Sequence, residues 1–122
     1  MEQQKAVATE TEISALVRGF YDRVRADPLL GPVFDLAIPD WKGHQVVVED
    51  FWSRVLLGTA RYRGCVMGAH GGMRLAPVHF DRWLELWGQS AEATLPPVAR
   101  EQAMTVARAL DQRLRLVAGV PG

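Results

Sequence analysis

The 122-residue chain carries 14 Lys plus Arg against 14 Asp plus Glu, so it lacks the basic surplus of a protein that neutralises phosphates along a nucleic acid. Its 48% hydrophobic and 23% charged residues exclude a disordered or fibrous chain, and its length fits one domain over residues 1–122. The single cysteine, Cys65, excludes an intrachain disulfide and a thiolate metal cluster; without a signal-peptide pattern or an apolar run near the roughly 20 residues a bilayer requires, the expectation is a soluble, cytoplasmic protein with no membrane or nucleic-acid partner.

Residues 1–8 are expected to form a flexible extension. Thr9 and Glu12 then stand three apart, the spacing of a capping box, and mark the start of a first helix. Ile13, Leu16, Val17, Phe20, Tyr21 and Val24 follow at steps of three and four, so Tyr21 belongs to the buried face. Asp27-Pro28 ends the run, Gly31-Pro32 prolongs an irregular stretch, and Phe34 is expected on a short turn.

Asp40 offers a cap for a second helix, whose stripe is Trp41, His44, Val48, Phe51 and Val55. The run Val46-Val47-Val48 lies within this helical period and is read as helix, not strand. Gly58 suits a left-handed stop, and glycines with weak periodicity follow from Thr59 to Ala76. Pro77 opens a third helix with Phe80, Trp83, Leu84, Trp87 and Ala91 inward, and Pro96-Pro97 separates it from a fourth. That last helix turns Ala103, Val106, Ala107, Leu110, Leu114 and Val117 to the core. With no strand-length alternation between turn signals, the fold class is all-α.

Three inward side chains on three helices, Tyr21, His44 and Trp83, each combine an apolar body with a polar tip. Either they satisfy one another in an ordinary core, or a ligand is the missing partner; each tip left unpaired would cost roughly 1–3 kcal/mol. His70 stands among Gly64, Gly68, Gly71 and Gly72, where the plain alternative is a surface loop residue. Such a loop also lets backbone approach a large flat object, with Met67, Met73 and Leu75 as deformable contacts. Cys65, with no activating cation pattern beside it, is given no role, and Trp52 and Trp87 are read as core.

Several stretches together carry a family resemblance: Phe20-Tyr21-Asp22-Arg23-Val24-Arg25, Leu30-Gly31-Pro32-Val33-Phe34, Trp41-Lys42-Gly43-His44, Phe51-Trp52, Tyr62-Arg63-Gly64, His70 and the run from His79 to Leu86. Over nearly its whole length the chain resembles the truncated haemoglobins, specifically their third group. The paired glycine motifs of the other two groups are missing at the ends of the first two helices. One departure is Val66 after Cys65, where the family often has proline.

The resemblance implies a two-over-two helical sandwich around haem b, the two pairs being first with second and third with fourth helix. It implies His70 as the proximal iron ligand, Tyr21, His44 and Trp83 as distal residues, and Phe34 as a packing contact of the porphyrin. Val48, Phe51, Met67 and Met73 are further expected cofactor contacts; His79, one turn before Trp83, is either a contact of the haem edge or a solvated residue near the cap, and Tyr62 and Arg74 are the first choices for the propionates, ahead of Lys42 and Arg61, with solvated surface positions as the alternative. The implied function is reversible binding of dioxygen, with nitric oxide, carbon monoxide and cyanide as related ligands, and oxygen transport as the associated role. No catalytic residue is assigned. The competing readings are a haem enzyme turning over nitric oxide or peroxide with an external reductant, and a cofactor-free helical interaction module.

Overall fold

A computed structural model of the chain describes residues 8–62 and 75–117. Five helices occur among them: α1 (Glu10–Ala26), α2 (Leu30–Ala37), α3 (Trp41–Leu57), α4 (Pro77–Thr94) and α5 (Pro97–Val117). None is long and apolar enough to cross a membrane.

The first helix starts as its spacing predicts. Thr9 Oγ1 accepts from Glu12 N at 3.0 Å and Glu12 Oε1 accepts from Thr9 N at 2.9 Å, which satisfies two orphan donors of the first turn. All six residues of the predicted stripe are buried, and Ala8 joins the core just ahead of the cap. At the other end of α3, Gly58 adopts φ 75°, a conformation that strains any residue with a Cβ, and its N–H closes on Arg54 O.

The expected irregular stretch around Phe34 is instead a two-turn helix, α2. Pro32 is compatible with it because it is the third helical residue, where the N–H has no intrahelical acceptor in any case. The Asp27 carboxylate accepts from Leu29 N and Leu30 N at 3.1 and 2.9 Å, and the Asp27 carbonyl accepts from Gly31 N at 2.9 Å. The residue that ends α1 therefore starts α2. Gly31 allows the close approach: a Cβ there would stand 3.1 Å from Arg25 O and 3.3 Å from Val24 O.

The four long helices pack α1 on α3 and α4 on α5, with α1 also against α4 and α3 against α5, while α2 touches α1 and α4. This is the two-over-two arrangement. Small residues Ala99, Ala103 and Ala107 let α5 come close, and the buried Ser90 donates to Leu16 O at 2.7 Å across α1 and α4.

The α3 stripe departs from its expected burial. Trp41, His44, Val48, Phe51 and Val55 are only half-buried, whereas Trp52, Ser53 and Leu56 are the buried residues of that helix. His44, Val48 and Phe51 border a cavity, so this part of the stripe faces a space and not a packed neighbour.

Candidate functional site

The cavity measures about 810 Å³, within the range of small-molecule and cofactor sites. Each long helix contributes to it. Phe20 and Tyr21 come from α1, His44, Val47, Val48, Phe51 and Trp52 from α3, Trp83 and Trp87 from α4, and Leu110 and Leu114 from α5. The short helix supplies Val33, Phe34, Leu36 and Ala37, and the chain leaving α3 supplies Tyr62.

Two polar groups meet in this apolar wall. The Tyr21 hydroxyl and His44 Nε2 are hydrogen-bonded at 2.8 Å, bridging α1 and α3. Tyr21 is held by rings on all sides, with centroids of Phe20 at 4.9 Å, His44 at 5.3 Å, Trp41 at 5.5 Å and Phe34 at 6.3 Å. It is 4% exposed, and this burial pushes the phenol well above its ordinary pKa, because water no longer stabilises the phenolate. At neutral pH the hydroxyl is protonated and remains a donor. Trp41 lies outside the cavity, edge-on to Tyr21, with the Arg25 guanidinium 4.8 Å over its ring.

Trp83 brings an indole N–H to the same wall. Its ring lies almost parallel to Trp87, at 4° with centroids 6.2 Å apart, and Trp87 stacks on Trp52 at 4.5 Å. Trp87 Nε1 is buried and has no hydrogen-bond partner among the described residues. An indole N–H can only donate, so the wall is unsatisfied at that point.

Of the residues singled out in the sequence, Tyr21, Phe34, His44, Val48, Phe51, Tyr62 and Trp83 all line the cavity. His79 borders a neighbouring cleft of about 30 Å³ that shares Phe34, Trp83 and Leu114 with it, and His79 Nδ1 accepts from Ala76 N at 2.8 Å at the start of α4. His70, Met67, Met73 and Arg74 lie outside the described residues. Arg61 is engaged elsewhere, with Glu10 and Asp50 at 3.0 Å and with Ser53 Oγ at 2.9 Å.

Sequence reasoning missed Val33, Leu36 and Ala37, because the stretch was read as irregular. The signal was present: Val33 and Ala37 are four apart, which places both on one side of a short helix. It also read Trp52 and Trp87 only as core, whereas both reach the cavity wall as well.

The residues present suit a large, flat, mainly apolar group with one polar reactive face. The walls are mainly aliphatic and aromatic; besides Asp40 and Tyr62, the polar groups on them are the hydrogen-bonded Tyr21–His44 pair and the indoles, and a few polar donors in an apolar pocket are how a haem site directs its ligand chemistry.

Comparison with known proteins gives a consistent picture. The family described as bacterial-like globin matches residues 5–115. The Group 3 truncated hemoglobin ctb of Campylobacter jejuni is 32% identical over 113 residues, covering 89% of this chain and 84% of that protein. The crystal structure of the group III truncated hemoglobin from Campylobacter jejuni superposes with a TM-score of 0.75 at 28% identity, over 93% of this chain and 95% of that one. The group II truncated hemoglobin from Bacillus anthracis shares the fold, with a TM-score of 0.78 at 21% identity, over 93% and 92% of the two chains. With its two-over-two helices and a polar pair set in an apolar cavity, the chain belongs to the bacterial-like globins, as a truncated haemoglobin of the third group.

Proposed function

We propose that the cavity holds haem b, that His70 is the proximal ligand, and that the protein reversibly binds dioxygen and related diatomic ligands on the side of Tyr21, His44 and Trp83. The observation that carries this reading is the Tyr21–His44 hydrogen bond at 2.8 Å inside an apolar cavity of about 810 Å³. A haem supplies a ferrous iron that takes a diatomic ligand and gives it partial negative charge. With one cysteine the chain lacks the paired cysteines of a c-type attachment, which favours non-covalent haem b.

The chain's own residues provide polarity and dryness. The Tyr21 hydroxyl, kept neutral by burial, is available as a donor, and Trp83 adds an N–H that cannot compete for the metal. His44 Nε2 is tied to Tyr21, and ligation of a metal by His44 would require this bond to break. Phe34, Val48 and Phe51 would pack against a bound haem and keep water from it, while Tyr62 and Arg74 are assigned to its propionates and Met67, Met73 and His79 to further contacts. Oxygen transport in the cytoplasm is the role assigned to this reversible binding.

The test is reconstitution with haemin followed by ferric, ferrous and oxy spectra. A Soret band, a five-coordinate ferrous spectrum and a stable oxy form are expected. Absence of a Soret band overturns the haem assignment, and normal haem retention with an unaltered ferrous spectrum in His70→Ala overturns the proximal one.

A further inference from the structure

Three of the four tryptophans form one continuous stack on the cavity wall. Trp83 and Trp87 lie at 4° to one another with centroids 6.2 Å apart, and Trp87 and Trp52 at 28° and 4.5 Å. Trp52 continues through the edge of Phe51, at 5.3 Å, to Tyr62, a further 5.2 Å on. Trp87 is 1% and Trp52 3% exposed, so bulk oxidants do not reach them, while Tyr62 is half-buried beside the exposed Arg61.

We propose that Trp83, Trp87 and Trp52 are a redox-active indole stack that donates electrons to an oxidant in the cavity and is refilled through Tyr62. The inference rests on the haem reading above and gives the same pocket a further activity, the reduction of hydrogen peroxide by a small phenolic reductant. The Trp87 and Trp52 indoles, 4.5 Å apart, are close enough to share a positive hole, which makes the pair easier to oxidise than one isolated ring, and Trp83 at 6.2 Å exchanges electrons with them by a short hop. The buried Trp87 N–H has no acceptor among the described residues, so an oxidised Trp87 has no partner to take its proton, and the hole moves on as a radical cation. Tunnelling falls steeply with distance, so close rings carry an electron faster than one long jump.

Hydrogen peroxide takes two electrons and two protons and gives two waters. Each electron leaves the stack singly, and the hole passes to Tyr62, which loses one electron and releases its phenolic proton to solvent. The phenoxyl then takes a hydrogen atom from the reductant, so two reductant molecules are oxidised to radicals per peroxide and no bond within the chain is made or broken. Phe51 acts only as a bridge, since a phenyl ring is too hard to oxidise.

The test uses the haemin-reconstituted full chain, mixed with hydrogen peroxide and freeze-quenched for electron paramagnetic resonance. A parallel sample with a nitroso spin trap is mapped by peptide mass spectrometry. An indole radical, oxidation at Trp52 and Trp87, and a trap adduct at Tyr62 are expected, with loss of the Trp52 and Tyr62 signals, counted per bound haem, in Trp87→Phe. Oxidation confined to Tyr21 and Trp83 overturns the proposal, and so does retention of the Tyr62 adduct in Trp87→Phe. Should that variant fail to fold, the wild-type chain is made with a fluorinated tryptophan, which keeps the packing but resists oxidation. Loss of the Tyr62 adduct then supports the stack, and persistence overturns it. A wild-type chain with no Soret band overturns both readings, whereas a normal Soret band with no indole radical overturns this one alone.

Discussion

Tyr21 does two jobs with one side chain. Its ring fills the space between Phe20, Phe34 and Trp41, and its hydroxyl fixes His44. Under the proposed distal roles, removing the hydroxyl in Tyr21→Phe, or the indole N–H in Trp83→Phe, would delete a donor to a charged ligand at about 1.5–3 kcal/mol each. Dioxygen release measured by stopped flow should accelerate roughly tenfold to a hundredfold, since about 1.4 kcal/mol is a factor of ten. Unchanged rates in both variants would remove these residues from the distal side. The raised Tyr21 pKa also sets an alkaline limit. Above about pH 10 the unfolded chain loses the phenolic proton while the folded chain keeps it, so stability present at lower pH declines as pH rises through that region. Urea unfolding of the wild type should therefore weaken from pH 10 upward more steeply than that of Tyr21→Phe.

Among the elements, α2 is the one whose existence depends on its neighbours. Its eight residues are too few for an isolated helix to be stable in water. It stands because Asp27 caps it, and because Gly31 admits it against the carbonyls of Val24 and Arg25. Asp27→Ala removes the acceptor of two backbone N–H groups and the ion pair with Arg82, and should cost about 0.5–2 kcal/mol in urea unfolding. Gly31→Ala sets a methyl against backbone that cannot swing aside, and should cost about 1–3 kcal/mol, as overpacked interiors do. Because Val33 and Phe34 line the cavity from α2, both variants should also bind haemin less tightly than the wild type, read by Soret titration. The α1, α3, α4 and α5 spans were legible from apolar period and caps, since these signals are local. The α2 span was not, because Pro28, Gly31 and Pro32 are turn signals unless a capping carboxylate and a receiving surface are already present.

For the molecule as a whole, the cavity is unpacked apolar surface gathered from five helices, and whatever fills it stabilises the fold. A ligand bound only by the native state adds about 2.7 kcal/mol when free ligand is a hundredfold above its Kd. Haemin should therefore raise the melting temperature in a concentration-dependent way, and an unshifted transition at saturating haemin would contradict a cavity-bound group. The arrangement also accounts for the half-buried α3 stripe. A stripe predicts which side of a helix faces inward, but it does not distinguish a packed neighbour from a space.

By itself the sequence determined the class, the long helices, their inward faces and the set of polar residues that converge, because each of these follows from periodicity, capping and residue chemistry within one segment. Resemblance in motifs then named the family. Only the tertiary structure decided that Tyr21 and His44 share a hydrogen bond, that α2 forms and closes the cavity, and that Trp83, Trp87 and Trp52 stack in a row. These are relations between side chains far apart in the chain, fixed by how helices pack, and no local pattern carries them.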